Sequence, residues 1–456
     1  MFAKNYGIEI KKDYFDVNGF NRYPSDLLLE YNQCIEEGLD IEKYKSLFES
    51  VAALENGDIK NRMSDIIFDV VINADIRKDY KYNEPSDLNG IKSLRNNHYF
   101  EMNLPDKELM IKKIRGAWLG RAIGCLLGKP VEGIRSNEFI PFLKETDNYP
   151  LHRYILSSDI TTDTYKKYKF WFRDKPYADN VDGMPVDDDT NYTVIAQRII
   201  EESDRDFESD DVANAWLKYQ SVHSYFTAER IAYVNFINCL NPPASAVYKN
   251  ACREWIGAQI RGDYFGYINP GKPEAAAEMA FRDACISHVK NGIYGEMFVS
   301  AMLACAAVTN NIEDIILGGL AQIPSTSRLF EAVMKVLDGY KKGVTEKECY
   351  DIIHSEFDEH TDHGWCHTIS NAMIVVAALL YGEGDFGKSI CIAVGMAFDT
   401  DCNGATVGSI LGMRGTDECI DEYWKKPING KIHTSIFGIG TVNIDDVVYK
   451  TIEHIE

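Results

Sequence analysis

The chain has 456 residues, with 70 acidic and 48 basic side chains, a formal net charge of -22 and 45% hydrophobic residues. That length supports a large buried core, while the acidity excludes recognition of a phosphate backbone, which needs a basic stripe to displace counterions. The eleven cysteines form no C-x-x-C pair, the opening MFAKNYGIEIKK has no apolar signal-peptide run, and no window reaches about eighteen uncharged apolar residues. A reduced, cytoplasmic protein with no membrane or nucleic-acid partner is expected.

In chain order, residues 1–105 stand apart. Tyr44, Leu47, Phe48, Val51 and Leu54 recur at helical spacing, as do Met63, Ile66, Ile67, Val70 and Val71. Two or three amphipathic helices are expected, followed by a polar, turn-rich linker over 81–98, with no cluster of chemistry-bearing residues. From residue 106 to 456 the pattern is a succession of helices broken by Gly, Pro and Asn, with almost no period-2 alternation, so the expected fold class is all-α with a helical N-terminal extension. In the first helix Gly116, Gly120, Gly124 and Gly128 recur every four residues, a bare stripe for close helix packing. Tyr149 to Val186 is aromatic and irregular, suited to a long loop beside a site. Further helices are expected near 190–203, 211–221, 274–290, 292–309, 326–341, 368–382 and 404–413.

Two acidic clusters carry the chemistry: Asp187-Asp188-Asp189-Thr190 and Asp399-Thr400-Asp401-Cys402. Each precedes an apolar helical stretch (Val194, Ile195, Ile199 and Ile200; Ala405, Val407, Ile410 and Leu411), which places the carboxylates at helix N-termini. Either cluster alone reads more readily as a solvated helix cap. Together, five buried carboxylates require cations, and hard oxygen donors select Mg, Mn or Ca over Zn. A metal site shared by both clusters is therefore expected. The segment His360-Thr361-Asp362-His363-Gly364-Trp365-Cys366-His367 invites a zinc reading, but four ligands on so short a piece rarely surround one tetrahedral ion, and a loop with His367 near the cleft is the better account.

Four segments in order resemble the ADP-ribosylglycohydrolase family, the relatives of the dinitrogenase reductase-activating glycohydrolase: Gly116 to Gly120 with Gly124-Cys125-Leu126-Leu127-Gly128-Lys129-Pro130-Val131-Glu132-Gly133; the first acidic cluster; Ser287-His288 with Asn291-Gly292-Ile293-Tyr294-Gly295; and the second acidic cluster. The similarity runs from about residue 107 to about 450. It implies an all-α hydrolase that holds ADP-ribose in a cleft over two Mg2+ ions, with Mn2+ as the alternative, and cleaves the bond at the anomeric carbon. The partner is ADP-ribose or an ADP-ribosylated protein or small molecule. Carried over by position, Asp187, Asp188, Asp189, Asp399, Asp401 and Cys402 become metal-site residues, and Glu132, Asp188 and Asp401 carry catalysis. Trp255, Gln259, His288, Asn291, Gly292 and Tyr294 become substrate contacts, although taken alone His288, Trp255 and Tyr294 read as core residues. Asp187 and Cys402 replace threonines of the family pattern, and Cys125 stands where many members have aspartate. Those departures keep two alternatives open: a ribosidase or phosphohydrolase for another nucleotide-like substrate, and a protein that binds ADP-ribose without turnover.

Overall fold

The glycine stripe of the first half of the chain meets a second glycine stripe near the end. In the computed structural model, which describes residues 22–455, the helix carrying Gly116 to Gly128 lies antiparallel to the one that follows the second acidic cluster. A Cβ on Gly120 would fall 2.0 Å from the carbonyl oxygen of Gly408, and one on Gly124 would fall 1.9 Å from that of Gly404; Gly116 meets Gly412 and Gly128 meets Thr400 in the same way. The two backbones touch along their length, and only glycine permits this.

The helices that build the molecule follow from caps and apolar faces. In the extension, α1 (Leu27–Glu36), α2 (Lys45–Ala52) and α3 (Asp58–Ile72) close a small core of their own around Leu27, Phe48, Val51, Ile67 and Phe68. The long α4 (Lys107–Gly128) starts at Asp106, whose carboxylate accepts from the Leu109 N–H. After it come α5 (Asp188–Ser203), α6 (Pro273–Ala284), α7 (Asn291–Ala306), α8 (Arg328–Lys341), α9 (Thr368–Tyr381) and α10 (Thr400–Arg414). Along α7 and α9 apolar or small residues face every direction, and both helices lie at the centre of the main core. The all-α expectation stands; among the described residues the strands are one antiparallel pair, β1 (Lys431–His433) with β2 (Thr441–Asn443). Among those residues no helix is long and apolar enough to cross a membrane.

The segment expected to be helical over 274–290 stops at Ala284. The chain then turns, with Lys290 in the left-handed region at φ 44°, and α7 starts afresh at Asn291. The irregular stretch before Val186 is a loop with one short helix, Thr164–Lys167; its Phe172 packs on Phe170 at 4.8 Å and on Phe142 of the preceding helix at 4.7 Å.

The extension is held by buried charge as well as by apolar contacts such as Leu29 on the main core and Phe68 on Tyr248. Arg253 receives Glu30 and Glu37 of the α1 region, Arg328 at the start of α8 binds Glu84 and Glu254, and Gln33 donates to Glu254. Each of these carboxylates is satisfied by an arginine fork or an amide, which is the condition for burying charge without a large penalty. The segment expected to be a linker contains a short helix, Leu88–Ser93, capped by Asp87, and its Ile91 joins the main core.

Candidate metal centre and cleft

The two acidic clusters converge. Asp187 caps α5, its Oδ1 accepting from the Asp189 N–H at 2.9 Å, and Asp188 and Asp189 form the first turn. Asp399 precedes α10 and Asp401 lies in its first turn. The backbone reaches Asp399 through two consecutive non-glycine residues in the left-handed region, Ala397 at φ 62° and Phe398 at φ 59°. Each costs on the order of 1–3 kcal/mol, and such strain persists where surrounding structure fixes it. Here Trp365 donates to the Phe398 carbonyl, and Asn371 Oδ1 accepts from both the Asp399 N–H and the Asn403 amide.

Ligand-type atoms of Cys125, Asp187, Asp189 and Asp401 lie within 4.8 Å of one another, and those of Asp399, Asp401 and Cys402 form a second such group. Two oxygens in this cluster, Asp189 Oδ2 and Asp401 Oδ1, are buried without a hydrogen-bond partner. An orphaned carboxylate oxygen in a core is costly, so the donor set fits a divalent cation. Burial, followed by repulsion from neighbouring carboxylates, raises Asp188 and Asp401 well above the usual carboxylate range. Burial also raises Asp189, against the pull of Arg121, which sits 3.0 Å from Asp189 Oδ1 and 3.0 Å from Asp263 Oδ2. For Asp187 the outcome reverses: burial raises its pKa, but the Lys129 ammonium on its Oδ2 brings it below the ordinary value.

Above this cluster opens a cleft of about 440 Å³, within the usual range for small-molecule sites, roughly 300–1,000 Å³. The acids form its base with Lys129 and Cys402, and Glu132 stands at its mouth. Although the Glu132 side chain keeps contact with solvent, enclosure by the cleft and then the charges of Asp399 and Asp187 push its carboxyl up to about 7. Glu229, Gly257, Phe226 and Trp365 also line the cleft, Trp365 beside the second acidic cluster through its bond to the Phe398 carbonyl. Glu229 is buried, and burial raises its pKa to about 7 in spite of Arg261. Gly257 leaves the room in which the Glu229 carboxylate sits, since a Cβ there would fall 1.7 Å from Glu229 Oε1.

Glu132, Asp187, Asp188, Asp399, Asp401 and Cys402 line the cleft, and Asp189 lies directly behind them. None of the six expected substrate contacts lines it. Asn291 donates to Glu84 and Glu254, and Tyr294 donates to the Pro85 carbonyl, so both face the extension. Gly292 packs on His288 and on the Arg253 carbonyl. His288 is buried, bonded to Ser287 through Nδ1, and burial drives its pKa well down. Gln259 is buried against Gly295, and the Trp255 indole donates to His363 Nδ1. The stretch that carries Trp255 and Gln259 does reach the site, but through Ile256, Gly257 and Ile260. Nothing in the sequence marks Glu229, Phe226, Asn191 or Ser435 as cleft residues; Lys129, one residue past the glycine stripe and three before Glu132, was the legible one.

In the His360 to His367 segment, His363 and His367 point Nε2 at Glu36 Oε2, at 3.0 and 3.6 Å. Their Nδ1 atoms accept from the Trp255 indole and the Ile369 N–H, both of which can only donate. The four candidate ligands of the segment do not converge: Cys366 faces Asp399, while His363 and His367 come together with Glu36 of the extension and tie it to the main body.

A predominantly helical molecule thus sets a carboxylate-floored cleft at paired helix N-termini, with a donor set that could hold a metal ion. The model of the ADP-ribosylglycohydrolase family matches residues 106–447, and the chain belongs to that family. An uncharacterized protein of Archaeoglobus fulgidus is 23% identical over 319 residues, spanning 69% of this chain and 91% of its own length. A solved structure described as an ADP-ribosylglycohydrolase-related protein complex is 16% identical, with a TM-score of 0.49, over 76% of this chain and 98% of its own.

Proposed function

We propose that this protein hydrolyses the glycosidic bond at the anomeric carbon of ADP-ribose, releasing ADP-ribose or a related ribosyl group from a modified protein or small molecule, in a Mg2+-dependent reaction. The observation that carries this reading is the pair of orphaned oxygens, Asp189 Oδ2 and Asp401 Oδ1, at the base of a cleft whose mouth carries a carboxyl with a pKa of about 7. Asp188, Asp189, Asp399 and Asp401 would hold the cation, with Mn2+ as the other suitable ion. When bound, it supplies positive charge for vicinal hydroxyls and for a water made more acidic.

The remaining steps belong to the chain's own groups. Glu132, at the mouth of the cleft beside the carboxylate cluster, would take a proton from the attacking water and deliver one to the departing acceptor. Phe226 and Trp365 offer apolar faces to a base, and Arg135 stacks on the outer face of Trp365 at 4.9 Å. The low-dielectric walls strengthen each of these interactions.

The test is incubation of the full chain with defined ADP-ribosylated peptides and small molecules, with Mg2+ and with chelator, and mass-spectrometric detection of free ADP-ribose. Release that needs the metal and falls at least 100-fold in Glu132→Gln is expected. Failure to release ADP-ribose or a related ribosyl product from any of them refutes the reading.

A further inference from the structure

We infer that the carboxylate cluster is a mixed oxygen–sulfur centre, in which Cys125 and Cys402 join the aspartates as ligands to Zn2+ or another thiophilic divalent ion, and that such an ion competes with Mg2+ for the site. This rests on the metal-dependent reading above and adds to it two ligands and a competing ion.

Each of the two groups of ligand-type atoms contains one sulfur. Cys125 Sγ lies within 4.8 Å of oxygens of Asp187, Asp189 and Asp401, and Cys402 Sγ lies within 4.8 Å of oxygens of Asp399 and Asp401. Zinc–sulfur and zinc–oxygen bonds measure about 2.3 and about 2.1 Å, so both groups are of a size to close on an ion. Asp401 belongs to both groups, and its Oδ1 is buried without a partner, as is Asp189 Oδ2 in the first. The sulfurs are placed by the backbone. Cys125 follows Gly124, whose Cβ would fall 1.9 Å from the Gly404 carbonyl oxygen, and Cys402 lies in the first turn of the same α10, two residues before Gly404.

Both sulfurs are turned toward the acids. The Cys125 thiol donates to Asp187, and the Cys402 thiol faces the carboxylates of Asp189 and Asp399. With no cation present both stay thiols, because burial and then the surrounding aspartates disfavour a thiolate. A thiophilic ion takes the place of the proton between sulfur and oxygen. Each S–H bond is exchanged for a sulfur–metal bond and the proton passes to solvent, since coordination deprotonates a thiol outright. Mg2+ can use the same oxygens but gains little from sulfur, so the two thiols discriminate between the two kinds of ion.

The experiment is titration of Co2+ into the metal-free full chain, kept reduced without added thiol, read by the near-ultraviolet sulfur-to-cobalt charge-transfer absorption, together with calorimetric titration of Zn2+ with and without Mg2+. The wild type is expected to show the absorption, Cys125→Ser and Cys402→Ser each to show less, and the double variant none; Cys239→Ser, which removes an exposed thiol, is expected to match the wild type. Zn2+ affinity is expected to fall at least about 10-fold in each single variant while Mg2+ affinity stays within about three-fold, and Mg2+ is expected to weaken apparent Zn2+ binding to the wild type. Saturable Co2+ binding without the absorption, absorption undiminished in either single variant, or absorption that survives the double variant overturns the inference and leaves the metal-dependent reading intact. A chain that binds neither Co2+, Zn2+ nor Mg2+ overturns both. Should the serine variants fail to fold, X-ray absorption of the Zn2+-loaded wild type decides: a sulfur shell at about 2.3 Å is expected, and a shell of lighter donors alone overturns the inference.

Discussion

Gly124→Ala is the sharpest probe of how the fold delivers the site. The added methyl would lie 1.9 Å from the Gly404 carbonyl oxygen, where carbon–oxygen contacts settle at about 3.3–3.6 Å. To accept it, α4 and α10 must separate by about 1.4 Å at that point, and both are backbone, so no side chain can swing away. Overpacking of this kind costs about 1–3 kcal/mol and sometimes more, and this contact belongs at the upper end. Asp401 lies in the first turn of α10, so the displacement also moves it relative to Asp189. A 1 Å misplacement of a reacting group costs on the order of 100-fold in rate. The matched control is Gly395→Ala, near the end of a helix, where the nearest atom to a new Cβ is Leu151 Cβ at 3.8 Å; this change is expected to be neutral or to stabilise by up to about 1 kcal/mol. Denaturant unfolding and ADP-ribose release, measured on both, decide. A Gly124→Ala protein within a few tenths of a kcal/mol of wild type that keeps full activity would refute the account of the paired stripes.

Asp188→Asn and Asp401→Asn are each expected to abolish activity and the rise in melting temperature that Mg2+ gives, since an ion that binds only the folded state stabilises by mass action; wild-type Mg2+ stabilisation in either would show that the clusters do not share a site. Arg253→Met leaves Glu30 and Glu37 buried with less compensation and is expected to lower stability by about 3–5 kcal/mol, read by urea unfolding; a loss below about 1 kcal/mol would show that the interface is not electrostatic. Glu229 has its pKa raised to about 7, so the folded state binds its proton more tightly than the unfolded chain. Its contribution is fully present below the unfolded value near 4.3, and is lost as pH rises to about 7, an effect on the order of 3 kcal/mol. In Glu229→Gln that loss disappears, so the stability difference between wild type and variant should change across pH 4.5–7 and stay constant above; a pH-independent difference would show that Glu229 does not titrate there.

The helices were legible where the apolar residues kept a helical period and a cap marked the start. Asp188–Ser203, Arg328–Lys341 and Thr368–Tyr381 fall within two residues of their expected limits. The glycine stripe of α4 was visible as a packing surface, but its partner was not. Gly404, Gly408 and Gly412 repeat at the same interval, and pairing two such stripes needs knowledge of which helices are antiparallel neighbours. The helix over 274–290 was drawn too long because Cys285, Ile286 and Val289 continue an apolar pattern. The break at Lys290 comes from tertiary contacts, the Val289 N–H bonding to the Arg253 carbonyl and the Asn291 N–H to Glu254.

The acids of the site were legible because a buried carboxylate has few uses, and two such clusters at helix starts have fewer. The neutral residues were not, because an amide or a phenol serves a ligand and a neighbouring backbone equally well. Asn291 and Tyr294 are polar residues facing off the start of a helix, as a substrate contact would be, yet their partners are Glu84 and Pro85, more than two hundred positions earlier in the chain. The same contacts give the extension a place in the chemistry. Arg253, Glu254 and Trp255 are gripped from behind by Glu30, Gln33 and Glu37 and by His363, and the next residues, Ile256 and Gly257, form the cleft wall that receives Glu229. A segment with no reactive residue of its own thus fixes the position of part of the cleft wall, and its removal would loosen that wall without touching a single carboxylate of the site.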